Sequence, residues 1–379
     1  MTSPTPRVDG RIRSLDGLRG LAATIVLLHH WLLIARPLLE GTLSWAIISQ
    51  SPVKLVTAGN EAVLVFFVLS GLVVVLPVFR PGFSWMGFLS ARVVRLYGPV
   101  IAALALSALL IVLVPRDRSA MPPGSWMAET HADEVTWQAF LMQASLVPRQ
   151  YPLNNPLWSL HWELVYSILL PFATAVALLV RRWALSAVIV CCAVSLIGRV
   201  FEQSELLYFP IFLMGTIMAA RMPDLLAWVQ RPRPRWFMPT FAALSVVMLI
   251  ASWLARPIAP SGSEISHILW ALAAPGAAGV VLVSLAWAPA ISLFETRVMQ
   301  WLGKISFSLY LIHVPVLATL AFALGSENWA LVGVIGIPLS LLVAWVFYQA
   351  VEARIHQVAR RVHRAVAARA SRRAGEVAP

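Results

Sequence analysis

The chain has 379 residues, of which 59% are hydrophobic and only 12% are Asp, Glu, Lys or Arg, and its mean hydropathy is +0.78. A soluble domain carries about 25% charged residues, so this composition cannot clothe a folded core in a water-facing surface, and a soluble globular enzyme is excluded. The 29 Lys and Arg outnumber the 17 Asp and Glu to give +12, but they lie between long apolar runs instead of on one face of a soluble fold, which speaks for membrane topology and against nucleic acid as a partner.

A helix needs about 20 mainly apolar residues to cross roughly 30 Å of hydrocarbon. Windows of that kind fall at 18–36, 60–79, 94–114, 157–180, 183–199, 205–221, 236–255, 266–289, 303–323 and 329–351. The expected fold is therefore all-α, a polytopic membrane protein with about ten transmembrane helices. The first run follows an Arg-rich lead, yet no A-x-A-like cleavage site comes after it, so it reads as a retained span.

An even number of spans puts both ends on one side, and the basic residues say which. The side holding the N-terminus collects 22 Lys and Arg, against 7 on the other: Arg36, Lys54, Arg116, Arg118, Arg149, Arg199 and Arg256. By the positive-inside rule both termini are cytoplasmic, and the expected location is a bacterial-type inner membrane. The longest connection, 115–156, then faces outward; it carries Asp117, Glu129, Asp133 and Glu134, is rich in Pro, Gly and Trp, and has room for a short surface helix over 134–146. Residues 1–352 form the membrane domain and 353–379 a basic cytoplasmic tail, either solvated or laid on anionic lipid. Cys191 and Cys192 are adjacent in an apolar run and read as packing residues.

Ionisable residues inside spans are expensive and mark function by default. In the first span Asp16-Gly17-Leu18-Arg19-Gly20 precedes His29-His30. The eleven steps from Arg19 to His30 turn a helix by roughly 1100° and advance it about 16 Å, so the two share a face and His30 lies near mid-depth. There it serves either as a packing hydrogen bonder or as a proton-handling group. His29 points about 100° away, as a packing residue would, and adjacent helical histidines diverge too far to bind a metal, so none is expected. In the ninth span His313 comes ten residues after Gly303, at a similar depth. The fourth carries Trp158, Ser159, Glu163 and Tyr166, with Ser159, Glu163 and Tyr166 on one face. Two histidines and a carboxylate are thus expected to converge, if the helices are neighbours. Arg92 and Arg95, at i and i+3 at the cytoplasmic start of the third span, are either a guanidinium fork for phosphate or topology anchors.

Several of these segments coincide in one family. Ser14 to Ala23 with His30, eleven residues beyond Arg19, resembles the opening of the acyltransferase-3 family of integral membrane O-acyltransferases. Phe66 to Gly71, Phe88 to Arg95, Asn155 to Leu160 with Glu163 and Tyr166, and Gly303 to His313 with Pro315 are similar to family segments in the same order. The likeness runs from about residue 12 to 352. The sequence departs from the pattern at Gly98-Pro99, where Pro usually comes one position earlier, at Phe307 in place of a common Tyr, and at Ala353-Arg354 after Glu352 in place of a Pro motif. An extracytoplasmic hydrolase-like domain, which some members carry, has no room here.

The resemblance implies transfer of an acyl group, most often acetyl from acetyl-CoA, to a hydroxyl of a glycan, a glycolipid or a glycosylated metabolite. In that reading Arg19, Arg92 and Arg95 meet the phosphates of the acyl-CoA co-substrate. His30 is the general base or a transient acyl carrier, with Asp16 beside it on the first span, and Glu163 tunes it or positions the sugar. Trp158, Ser159, Tyr166, Tyr310 and His313 are candidates to line the substrate site. Two other readings fit a bundle with buried polar groups: a transporter or flippase for a lipid-linked sugar, and a non-catalytic membrane partner in glycan assembly.

Overall fold

Apolar stretches of this length have one solution in lipid, where each backbone N–H and C=O must be bonded within its own segment. The computed structural model describes residues 12–148 and 150–377, and for 370–377 only the backbone; these residues form helices and turns with no strand. Arg7, Arg11 and Arg149, counted above, lie outside the described residues, as do the side chains of Arg372 and Arg373.

In chain order the helices are α1 (Arg13–Leu39), α2 (Leu43–Gln50), α3 (Gly59–Val75), α4 (Trp85–Leu113), α5 (Trp126–Thr130), α6 (Trp137–Ala144), α7 (Leu157–Val180), α8 (Ala184–Val200), α9 (Ser204–Ala220), α10 (Met222–Val229), α11 (Phe237–Leu254), α12 (Glu264–Ala271), α13 (Ala273–Ala286), α14 (Ala288–Phe294), α15 (Arg297–Leu324), α16 (Trp329–Phe347) and α17 (Ala353–Val377). Among the described residues, 8 helical stretches are long and apolar enough to cross a membrane, or 9 if α9 and α10, bent by 72°, make one span. One of these stretches, Leu157–Val200, has 44 residues, about twice what a span needs, and contains α7 and α8. Every expected span thus has its helix, and α6 falls within the surface segment expected over 134–146. Phe172, Leu179, Leu185 and Val334 stand exposed on these helices, as lipid-facing side chains do.

The chain divides into two compact units. The first comprises residues up to His29, Gly41–Val75 and Pro171–Ser306. Its helices pack closely because small residues stand where backbones meet. Phe67 of α3 stacks on Phe212 of α9 at 4.3 Å, and Thr216 Oγ1 donates to the Gly71 carbonyl at 3.1 Å. In the same unit α1 meets α15: a Cβ on Gly20 would run into the Gly303 amide nitrogen, and one on Gly303 into the Asp16 carbonyl.

The second unit comprises His30–Glu40, Leu76–Leu170 and the chain from Phe307 onward. Here α17 lies on α4. The sequence reading anticipated only a basic tail, yet the segment alternates at helical period: Ile355, Ala359, Val362, His363, Val366 and Ala367 are buried or half-buried, whereas Arg354, Arg360, Arg361, Arg364 and Arg369 are exposed. That is an amphipathic helix with one packed and one basic face. A π-helical turn, Tyr348–Glu352, joins it to α16 and carries Glu352 into the interior.

The α1–α15 contact leaves no room for a side chain. Gly303→Val should destabilise the protein by about 1–3 kcal/mol, the usual penalty of overpacking, read as a lower melting temperature of the detergent-purified chain; an unchanged melt would show that the helices can part there.

Candidate active site

The centre of the second unit is a histidine pair. His30 of α1 is 7% exposed and His313 of α15 fully buried, and Nε2 of His313 lies 3.1 Å from Nδ1 of His30. Nδ1 of His313 lies 2.8 Å from the Leu309 carbonyl. A carbonyl only accepts, so His313 Nδ1 carries a proton; in a neutral imidazole its Nε2 then accepts, and the proton between the rings belongs to His30 Nδ1. This chain of donors leaves the lone pair of neutral His30 on Nε2, the position of a general base.

Neighbouring hydrogen bonds hold α15 in place beside this pair. Pro315 has no N–H, so the Leu311 carbonyl loses its helical donor; Asn154 Nδ2 supplies one at 2.9 Å. Ser159 Oγ and Tyr310 Oη are 2.6 Å apart, and each lies 3.2 Å from the Pro156 carbonyl. These two hydroxyls therefore fasten the start of α7 to α15, one turn before His313. Tyr166 is buried and Trp158 half-buried on α7.

Glu163, expected to join the histidines, is the partner of an arginine. Arg92 Nη2 donates to Glu163 Oε1 at 2.9 Å and Arg92 Nε to Ser167 Oγ at 2.5 Å. The pair is mostly shielded from water, so the guanidinium is aimed by α7. Arg95, one turn on, is exposed. Asp16 and Arg19 are half-buried on the first turns of α1, in the first unit.

Other functional-looking groups escaped the sequence reading. Glu352 is buried and accepts from Ser308 Oγ at 2.5 Å, with His356 Nε2 3.7 Å away. Its place at the end of the last span was noted above, but the partner from α15 had no sequence signal. In the first unit, Lys54 lies 3.8 Å above the Trp253 ring, whose Nε1 donates to buried Glu61 at 2.8 Å, and His29 Nδ1 donates to the Thr57 carbonyl at 3.1 Å. His29 is thus the packing residue expected. Among the described residues no three His, Cys, Asp or Glu side chains stand together as metal ligands.

The connection between α4 and α7, read as an outward loop, also reaches the pair. The Trp126 ring is 5.2 Å from that of His30, and His131 lies 4.5 Å from Trp126 on its edge. Beyond it, Phe322 is 6.0 Å from His131, and the Arg116 guanidinium sits 5.4 Å over Phe322. Arg116 is 6% exposed, yet none of its three nitrogens has a hydrogen-bond partner, nor does His131 Nε2. The nearby carboxylate Asp133 is held by Arg118, through Nε at 2.8 Å and the backbone amide at 3.0 Å. Burial lowers the Arg116 pKa to about 10 against the opposing pull of Asp133, which leaves it cationic. Stripping a guanidinium of water costs several kcal/mol, while an aromatic face returns about 0.5–2 kcal/mol. Burial, with the Arg116 charge adding to it, lowers the His131 pKa to about 3, so this ring is neutral.

A family model for the acyltransferase domain matches residues 12–349. The O-acetyltransferase PaAT-1 of Phomopsis amygdali is 26% identical over 405 aligned positions, covering 87% of this chain and 78% of that protein. No solved structure matches.

Because His131 is neutral when folded and takes up a proton when unfolded, its contribution is full above pH 6.5 and lost as pH falls toward about 3. Melts at pH 7 and pH 4 should show a larger acid-induced loss for the natural protein than for His131→Leu; equal losses would mean that the ring is not buried neutral.

Proposed function

The chain belongs to the acyltransferase-3 family, and from that premise we propose that it transfers an acyl group, acetyl by preference, from acyl-CoA to a hydroxyl of a glycan, a glycolipid or a glycosylated metabolite. It is an acyltransferase of a multi-pass membrane kind, which supersedes the carrier and the non-catalytic readings. The observation that carries the mechanism is the proton chain from His30 through His313 to the Leu309 carbonyl.

In this reading Nε2 of neutral His30 takes the proton of the acceptor hydroxyl as its oxygen attacks the thioester carbonyl. A C–O bond forms, the C–S bond breaks, and the departing CoA thiolate receives the proton from His30. The second His30 proton stays on Nδ1 throughout, directed at His313. His313 is a positioning residue: its own Nδ1–H is tied to the helix, so its Nε2 always accepts, and it steadies the imidazolium formed in the transition state.

The ion pair supports a role for Glu163 other than tuning His30. It fixes the Arg92 guanidinium, and with Arg95, three residues on, this makes a cationic pair suited to the phosphates of the donor, for which Arg19 is a separate candidate from the sequence. The arginine asymmetry of the sequence supports cytoplasmic termini and an inner-membrane location, with donor on the arginine-rich side and acceptor opposite. Asp16, in the first turn of α1, suits the positive end of that helix.

His30→Ala, at unchanged membrane level, should reduce acylated product at least about 100-fold, seen by mass spectrometry of surface glycans and lipids as a lost acyl mass; full acylation would remove His30 from the mechanism. His313→Gln should lower kcat while leaving KM for acetyl-CoA unaltered, a split that general unfolding would not give.

A further inference from the structure

We propose that Arg116, with His131 beside it, is an oxyanion subsite that holds a carboxylate or phosphate carried by the acceptor. Four observations support it. The guanidinium is buried but its Nε, Nη1 and Nη2 bond to nothing in the protein. The Phe322 ring beneath it offers attraction without a hydrogen-bond acceptor. The one carboxylate whose charge it feels, Asp133, is held bidentate by Arg118. Nε2 of His131, and on the same connection Tyr151 Oη and Asn154 Oδ1, are also buried without partners.

A planar fork of donors in a water-poor setting is the chemistry that selects oxyanions. Neutral His131 can donate or accept to a second ligand oxygen without adding charge. The location supplies the connection to catalysis. Rings run in contact from His313 and His30 through Trp126 to His131 and Phe322. Along α15, Phe322 is nine residues beyond His313, a rise of about 14 Å, the span of a two- or three-sugar unit or its lipid-linked phosphate. An anion fixed at Arg116 would thus present a hydroxyl of the same molecule at His30, with Trp126 as the stacking surface between them.

The identity of the anion's carrier rests on the acyl-transfer reading, whereas binding itself does not, so the test reads binding. Melts of the purified full-length chain would be run with sodium glucuronate, inorganic phosphate, glucose, CoA, and NaCl at matched ionic strength. Glucuronate and phosphate should each raise the melting temperature by about 2–4 °C when saturating, with no rise in glucose or NaCl. Arg116→Met should abolish the rise and Arg116→Lys, which keeps the charge but not the fork, should diminish it. His30→Ala should retain it even though acylation is lost. No anion-dependent rise in the natural protein, or an undiminished one in Arg116→Met, would overturn the subsite. If Arg116→Met does not fold, an undiminished rise in Arg116→Lys would do the same. A rise with CoA alone that depends on Arg116 would overturn the assignment to the acceptor.

Discussion

The arrangement of the pair rests on a carbonyl. Leu309 O accepts the His313 Nδ1 proton, and that bond fixes the His313 tautomer and turns its Nε2, as acceptor, toward His30. A carbonyl one turn back along the same helix is a natural choice, since a helical C=O has a second lone pair beyond the one used by its backbone donor. It also makes the acceptor as rigid as the helix. No carboxylate is needed to orient the dyad, and an uncharged orienting group is what a span can most easily tolerate.

The price of this arrangement appears two residues further on. Pro315 interrupts the donor ladder of α15 close to His313, and an unsatisfied backbone carbonyl in a bilayer costs several kcal/mol. Asn154 closes the gap at the Leu311 carbonyl, and Pro156, Ser159 and Tyr310 close a second set of bonds one turn away. The Asn-Asn-Pro-Leu-Trp-Ser segment and the His-Val-Pro segment therefore work as one structure: the first repairs what the proline of the second removes. Seen this way, Ser159 and Tyr310 serve His313 by holding its helix.

This explains what could be seen in the sequence. The bilayer admits so few structures that apolar length alone located a helix for each expected span, and His30 and His313, each ten residues beyond a glycine of the α1–α15 contact, were recognisable as a matched pair from helical spacing. Helix neighbours were not legible, and so the ion pair that Glu163 of α7 makes with Arg92 of α4 had no signal in the sequence. The 115–156 connection was opaque for a different reason. It has no period to read, its acidic and Pro-Gly-Trp composition describes a solvated loop equally well, and nothing in it announces that His131 and Arg116 are buried and Trp126 half-buried. The packed face of the basic tail was not legible because arginine content hid an apolar stripe of mostly Ala and Val.

Three physical states seen among the described arginines make an informative contrast. Arg354, Arg360, Arg361, Arg364 and Arg369 on α17 are exposed, where a cation costs little. Arg92 is half-buried and has its counter-ion in Glu163, so the protein itself pays the desolvation. Arg116 is more deeply buried than Arg92 and has only an aromatic ring and a carboxylate already engaged elsewhere. A Met of similar volume would pack there without a charge to desolvate, and replacing buried ionic groups by apolar ones is often neutral or stabilising by about 1–4 kcal/mol. The compensation that the fold does not give Arg116 is what the proposed oxyanion subsite would draw from a bound ligand, and the run of rings from Phe322 to the histidine pair is what ties that proposal to the acceptor.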